Sequence, residues 1–270
     1  MARRRARLDA ELVRRGLAGS RGEAAQLIAA GRVTVGGAPA LKTATQVAPD
    51  AALVVAAPPS AYASRGGHKL AGALSELDIA VRGRHCLDAG ASTGGFTDVL
   101  LQGGAARVVA VDVGYGQLVW RVASDPRVVV LDRTNVRHLV AAQVPRPPPD
   151  LVTADLSFIS LTLVVAPLAA LAAASADHLL LVKPQFEAGR GRVGKGGVVR
   201  DPAVWAEALS RVVGEAGDVG LGLAGACPSR LPGPAGNVEF FVHLRADADR
   251  APGAVVDAAV EAGRHVAGEA

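Results

Sequence analysis

The apolar positions change period several times along the chain, and each change marks an element. Leu8, Leu12 and Val13 form one helical stripe that Gly16 ends. Ser20 with Glu23 predicts a capping box for a second helix, with Ala24, Leu27 and Ile28 as its buried face and Gly31 as its close. Val33 and Val35 then alternate up to Gly36-Gly37, a hairpin turn signal, and an apolar run follows at Leu53–Val55. Residues 1–57 therefore read as a small α+β unit. Ala56–Ala63, AAPPSAYA, is a linker stiffened by two prolines, which sets a domain boundary at 58–63.

From residue 64 the pattern alternates between helix-like and strand-like. A helix-like run reaches about Leu77, a strand follows at His85, and a helix opens on Phe96. Next come a strand at Arg107–Val113, a helix at Gln117–Ala123, a strand at Val128–Leu131, and a further helix with a proline-rich turn. Strands at Leu151–Ala154 and Leu179–Val182 complete a βαβ repetition that predicts one α/β domain over 64–270. The late strand Val238–Leu244, after the turn Pro232–Asn237, is expected to form a sheet-edge hairpin with a strand near Gly220–Cys227. Leu156–Ala176 carries no charge over the length of a spanning helix. Ser157, Ser160 and Thr162 at its start, Pro167 inside it and its many alanines instead predict a buried helix packed on a sheet.

Composition narrows the class. Half of the 270 residues are apolar but only 3% are aromatic, so the core is built from small side chains. The net charge of +4 comes mostly from Arg concentrated near the N-terminus, which points to a polyanionic partner. Cys86 and Cys227 have no C-x-x-C spacing and the six His are not clustered, so no disulfide framework and no metal site is expected. Asp9 and Glu11 fall where a signal peptide would need its apolar core, so a cytoplasmic, non-membrane protein is expected.

The richest stretch is His85–Gln102, HCLDAGASTGGFTDVLLQ. Glycines 90, 94 and 95 let a ligand lie against bare amides at a helix N-terminus. Asp112 ends the next strand, roughly 20 residues on, where a Rossmann-type unit presents a carboxylate to ribose hydroxyls. A dinucleotide loop wants glycine where Ser92 stands, and Asp88 before Gly90 would repel a pyrophosphate but suit a sulfonium cation. S-adenosylmethionine is the expected cofactor. Its site is assigned to Asp88, Gly90, Ser92, Thr93, Gly94, Gly95, Phe96 and Asp112, with Asp132, Thr134, Asn135 and Phe158 towards the adenine.

In an open parallel sheet ligands bind beyond the carboxyl ends of the strands. There stand Asp155 after Leu151–Ala154 and Lys183 after Leu179–Val182, with Glu239 at the start of the late strand and Lys69 in SRGGHKL. Two cations and two carboxylates on four segments suit proton removal from a weak acid such as a ribose hydroxyl, with Lys183 as base and Lys69 as its neighbouring cation. Arg3, Arg4, Arg7, Arg15, Arg21 and Lys42, joined by Arg65, Arg133 and Arg137, are candidate phosphate contacts. The loop Glu187–Arg200 reads as a lid or RNA-contacting segment.

Residues 8–37 resemble the RNA-binding domain named after ribosomal protein S-four, through LDAELVRRGLAGSR and the following A-x-x-L-I-x-x-G-x-V-x-V-x-G. Over nearly the full length the chain resembles the TlyA-type rRNA 2′-O-methyltransferases, sometimes labelled hemolysins, whose catalytic part is FtsJ-like. The motifs are SRGGHKL at 64–70, LDAGASTGGFTDVLLQ at 87–102, ADLSFISL at 154–161, LVKPQFE at 181–187 and NVEFFVHL at 237–244. That resemblance implies a Rossmann-like class I methyltransferase domain, a mostly parallel seven-stranded sheet with helices on both faces. It also implies a Lys69-Asp155-Lys183-Glu239 catalytic tetrad, S-adenosylmethionine as cofactor, and cytidine ribose in rRNA or ribosomal subunits as substrate. A membrane-active cytolysin would leave the glycine loop unexplained, and a binding-only ribosome assembly factor would leave the tetrad unexplained. The sequence carries no signature of oligomeric state.

Overall fold

The computed structural model describes residues 5–56, 61–248 and 253–268. Arg3, Arg4 and half of the expected linker, residues 58–60, lie outside them. The chain divides into two compact units, residues 1–61 and 62–270.

The first unit runs β1 (Ala6–Arg7), α1 (Leu8–Arg14), α2 (Arg21–Ala29), β2 (Val33–Val35), β3 (Ala38–Pro39), β4 (Gln46–Val47) and β5 (Leu53–Val55). Its strands form the pair β1-β4 and the three-stranded sheet β3-β2-β5. Leu8, Leu12, Ala24, Leu27, Ile28 and Val33 fill the core. Ser20 caps α2 by accepting from the Glu23 amide at 3.1 Å, but the returning half of the box goes one residue further: the Glu23 carboxylate accepts from the Gly19 amide at 2.7 Å.

The second unit runs α3 (Arg65–Glu76), β6 (His85–Ala89), α4 (Gly95–Gln102), β7 (Arg107–Val111), α5 (Trp120–Ala123), β8 (Val128–Leu131), β9 (Leu151–Ala154), α6 (Val165–Leu171), β10 (Asp177–Val182), α7 (Pro184–Glu187), α8 (Pro202–Asp218), β11 (Gly222–Pro228), β12 (Phe240–Arg245) and α9 (Gly253–Gly268). Its seven strands lie in the order β11-β12-β10-β9-β6-β7-β8. All neighbours are parallel except at β12, which runs antiparallel to β10 and β11. Alternation along the buried strands divides the core in two. Leu87, Val109, Leu180 and Val182 face α6, α8 and α9, whereas Cys86, Val108, Leu179 and Leu181 face α3 and α4.

Three expected helices are shorter than their patterns. The uncharged stretch from Leu156 is broken into a loop, a single 3₁₀ turn at Leu161–Leu163 and the seven-residue α6. Among the described residues no helix is long and apolar enough to cross a membrane. Gln117–Ala123 shrinks to the four-residue α5, and the helix expected after Asn135 is two 3₁₀ turns, Val136–His138 and Ala141–Gln143. Asn135 accepts from the Arg137 amide and Gln143 from the Val140 amide, so side chains meet the backbone groups that a longer helix would have paired.

Candidate active site

The strand order reverses between β6 and β9, and their carboxyl ends are tied where the Asp155 amide donates to Ala89 O at 3.0 Å. The approach is close. Gly90 has φ +87°, and a Cβ there would lie 2.6 Å from the Asp155 carbonyl, so only glycine fits. Gly94, at φ +97°, is the left-handed cap that starts α4, and a side chain on Gly95 would run into the Ser64 hydroxyl. The loop between them therefore offers bare backbone to two adjoining hollows.

The first hollow, about 470 Å³, is lined by Gly90, Ser92, Val111, Asp112, Val113, Gln117, Thr134, Asn135, Val136 and Asp155–Ile159. Asp112 accepts from the amides of Ser92 at 2.8 Å and Gly114 at 2.7 Å, one on each carboxylate oxygen, so the glycine loop and the loop after β7 are held on a common acid. Asp132 stands behind this wall and accepts from the Gly116 amide at 2.9 Å; it braces the loop rather than lining the cleft.

Asp88 departs further from expectation. It is fully buried, takes the Thr97 hydroxyl at 2.6 Å and lines neither hollow. Burial lifts its carboxyl up to about 7, so near neutral pH it does not carry the full standing charge expected to attract a sulfonium. Asp88 is thus a positioning residue that ties the end of β6 to the first turn of α4.

The second hollow, about 320 Å³, shares Gly90, Ser92, Asp155 and Ser157 with the first and adds Ser64, Arg65, Gly66, Lys69, Ala91, Thr93, Gly95, Phe96, Lys183, Pro232, Pro234 and Glu239. All four tetrad residues line it. Lys69, on the first turns of α3, meets Glu239 at 2.6 Å, with the side chains 9% and 1% exposed. Lys183, one residue past β10, meets Asp155 at 2.6 Å and donates to Ser157 Oγ at 3.1 Å. Each lysine is thus held by a carboxylate, the orienting role expected of the two acids, and Lys69 and Lys183 line the same hollow. The antiparallel β12 makes this possible, because its start brings Glu239 next to the end of β10.

Three supporting residues escape a motif-level reading. Ser157 sits beside Asp155 in the motif ADLSFIS. Gln185 points its amide nitrogen at Glu239 Oε1, 3.5 Å away. Glu187, buried, accepts from Ser160 Oγ at 2.5 Å and the Leu161 amide at 2.8 Å, stapling the loop after β9 to the loop after β10. Their signal was adjacency: each lies within four residues of a tetrad member.

Of the basic residues, Arg65 lines the second hollow, Arg133 stacks over the Tyr115 ring at 4.3 Å, and Arg137 and Lys42 are exposed. Arg7 and Arg21 both bind Asp9, at 3.1 and 2.8 Å, and hold its carboxyl well below the usual carboxylate range. Arg15 is not a free phosphate contact. Its side chain is only 22% exposed, pairs with Glu11 at 2.8 Å, and donates to the carbonyls of Ala51 and Pro49, so it holds the turn before β5. Cys86 and Cys227 are buried free thiols. Among the described residues no His, Cys, Asp and Glu group is arranged to hold a metal ion.

A Rossmann-like sheet with an antiparallel strand next to one edge, a glycine loop at the switch point and a Lys-Asp-Lys-Glu chamber beside it define a methyltransferase. Residues 62–246 match the family described as FtsJ-like methyltransferase, and residues 6–53 match the S4 domain. The chain is 57% identical to the 16S/23S rRNA (cytidine-2'-O)-methyltransferase TlyA of Mycobacterium tuberculosis, over 92% of each chain. The chain belongs to the FtsJ-like methyltransferases and, within them, to the TlyA type. Two solved structures described as candidate hemolysins share its fold. The one from Streptococcus thermophilus is 34% identical with a TM-score of 0.74, covering 99% of this chain and 98% of that one. The one from Lactococcus lactis is 42% identical with a TM-score of 0.69, covering 74% and 97%.

Proposed function

We propose that this chain transfers a methyl group from S-adenosylmethionine to the ribose 2′-hydroxyl of a cytidine in rRNA of the small subunit, the large subunit or both. The observation that carries this reading is that two lysine–carboxylate pairs flank one chamber, and that this chamber shares the wall Gly90, Ser92, Asp155 and Ser157 with the cleft beside the glycine loop. The relative from Mycobacterium tuberculosis supports the choice of substrate.

The first hollow suits the cofactor. Both Asp112 oxygens keep a free lone pair beyond the amides they accept, enough for a ribose diol. Val113, Thr134, Asn135 and Phe158 surround the space beyond it, where an adenine would sit. S-adenosylmethionine supplies an electrophilic methyl group on a sulfonium. The residues in the chamber do the rest. Lys183 is placed to take up the proton of the 2′-hydroxyl as that oxygen bonds to the methyl carbon and the carbon–sulfur bond breaks to leave a neutral thioether. Asp155 and Ser157 fix the Lys183 amine, Glu239 fixes Lys69 beside the same hydroxyl, and this placement supplies much of the rate. Arg7, Arg21, Lys42, Arg65, Arg133 and Arg137 contact rRNA phosphates, and a ribosomal substrate puts the chain in the cytoplasm.

The test is to incubate the full chain with methyl-labelled S-adenosylmethionine and purified ribosomal subunits, digest the RNA and identify the labelled nucleoside. The expected product is 2′-O-methylcytidine. Label on a base, or none in RNA, would refute the reading.

A further inference from the structure

The Lys183 nitrogen is held in two unequal ways. Its contact with Asp155 Oδ1, at 2.6 Å, is close but poorly aligned and leaves that oxygen without a hydrogen-bond donor. Among the described residues, the aligned hydrogen bond that Lys183 donates goes to Ser157 Oγ at 3.1 Å. An amine receives a proton on its lone pair, and the direction of the lone pair follows from where its N–H bonds are held. The charge of Asp155 keeps the nitrogen near, and Ser157 gives it a direction within the chamber that all three residues line.

Asp155 is fixed at its own amide, which donates to Ala89 O at 3.0 Å. Ser157 is not. Among the described residues none of the amides from 156 to 160 donates a hydrogen bond, and Phe158 stands at φ +63°. The next anchored amide is that of Leu161, which donates to Glu187 Oε1 at 2.8 Å, while Glu187 Oε2 takes the Ser160 hydroxyl at 2.5 Å. Glu187 can serve as an anchor because it is fixed in turn. It ends α7, the short helix that begins after Lys183, is 4% exposed, and its carbonyl accepts from Arg211 of α8 at 2.6 Å. It lines neither hollow. The free span of backbone that carries Ser157 is therefore tied down at its far end by the segment that carries Lys183.

We propose that Glu187 is a positioning residue for the proton transfer: it holds the far end of the loop 156–160, sets Ser157 against Lys183, and so aims the amine at the 2′-hydroxyl. This rests on the proposed ribose methylation with Lys183 as proton acceptor.

The experiment measures single-turnover methyl transfer to ribosomal subunits by the full chain, at saturating S-adenosylmethionine so that any change in cofactor affinity stays separate, and per folded molecule. Glu187→Ala should be slower by about tenfold to a hundredfold, the range for a reacting group misplaced by up to about 1 Å. Glu187→Gln can still accept from Leu161 and can donate to Ser160, so its rate should return to within about threefold of wild type. Ser157→Ala should be slow as well, and Glu187→Ala made in that background should cost no more than about a further threefold, because both act through one contact. A wild-type rate in Glu187→Ala overturns the proposal, and so do losses that multiply in the double variant. Glu187→Gln as slow as Glu187→Ala also overturns it, by tying the effect to the charge. If Glu187→Ala fails to fold, Ser160→Ala, which keeps the Leu161 bond, replaces it: about tenfold loss alone and none in the Ser157→Ala background support the proposal, and a wild-type rate or a multiplying loss overturns it. A wild type that methylates neither subunit, or a Lys183→Ala variant as fast as wild type, defeats the underlying reading, a different failure.

Discussion

Strands β10 and β12 carry a charged cluster at each end, and the two clusters behave differently. At the carboxyl end of β10, Lys183 and Asp155 lie beside Lys69 and Glu239, and all four face an open chamber. At the opposite end, Asp177 is closed in by two arginines and a histidine. His243 meets it at 2.7 Å, Arg84 forms a very short ion pair, and Arg245 stands 3.6 Å away. Burial works against the Asp177 charge, but the hydrogen bonds from His243 and Arg84 outweigh it and hold the carboxyl down at about 2. The same strand pair thus ends in a saturated clamp on one side and in a set of acceptors and donors with capacity to spare on the other. Saturation marks structure; remaining capacity, turned towards a cavity, marks chemistry.

The comparison breaks first at Lys183. Lys183→Ala should lower methyl transfer by about a thousandfold or more while S-adenosylmethionine affinity stays within about twofold, because the amine acts in the transition state. Single-turnover rates with calorimetry check both halves. Asp177→Asn should do the reverse. Removing the acid that gathers Arg84, His243 and Arg245 should cost about 2–4 kcal/mol of stability, less than a fully buried pair because the arginines reach solvent. Denaturant unfolding measures that loss, and the rate per folded molecule should be unaffected.

His178, next to Asp177, sharpens the same point through pH. It is 2% exposed, neither ring nitrogen has a partner, and burial pushes it down to about 4. In the unfolded chain it titrates near 6.5, so between 6.5 and 4 the unfolded state binds the extra proton. The stabilising contribution of neutral His178 is then complete above about 6.5 and falls as pH drops through this window, by about 3 kcal/mol at pH 4. Asp177 is still ionised there. Asp88, whose folded carboxyl is raised to about 7, contributes the opposite slope over the same range, so the test is a difference. Relative to wild type, His178→Leu should lose about one proton's worth of stability gain with rising pH between 4 and 6.5, and an unchanged slope would mean that His178 is not its source.

The smallest effect is expected in the N-terminal unit, where the same rule separates arginines. Residues 1–61 hold nine Lys and Arg against four Asp and Glu, so the whole positive excess of the chain lies there. Arg7→Gln with Arg21→Gln should flatten the salt dependence of rRNA affinity, by about 0.7–0.9 in log–log slope for each phosphate no longer neutralised. Arg15→Gln should instead lower the melting temperature of the unit and leave the slope alone, since Arg15 holds the carbonyls of Pro49 and Ala51. Filter binding across a salt series separates the two.

The strands were legible because a buried parallel sheet leaves short, apolar, β-branched runs bounded by turns, and Val108–Val111 or Leu179–Val182 can hardly read otherwise. Helix α8 went unassigned even though Asp201 as cap, Pro202 in the first turn and an apolar stripe from Val204 to Ala216 signal it. The short helices were not legible. At 136–143 and 156–171 side-chain caps and a 3₁₀ turn replace what periodicity extends. At the site, strand ends and motifs located the tetrad, yet its pairing depends on where β12 inserts, a long-range fact. Asp88 misled for a related reason: a carboxylate in a sequence looks charged, whereas burial and Thr97 decide what it is.

The account rests on the two ion pairs acting as one site, and the direct measurement is single-turnover methyl transfer to ribosomal subunits by Lys183→Ala, Glu239→Gln and the double variant, each saturated with cofactor. Residues that serve one transition state are strongly non-additive. The double variant should be no slower than the slower single variant, within about threefold. Losses that multiply in the double variant would show two independent contributions and contradict a single catalytic chamber.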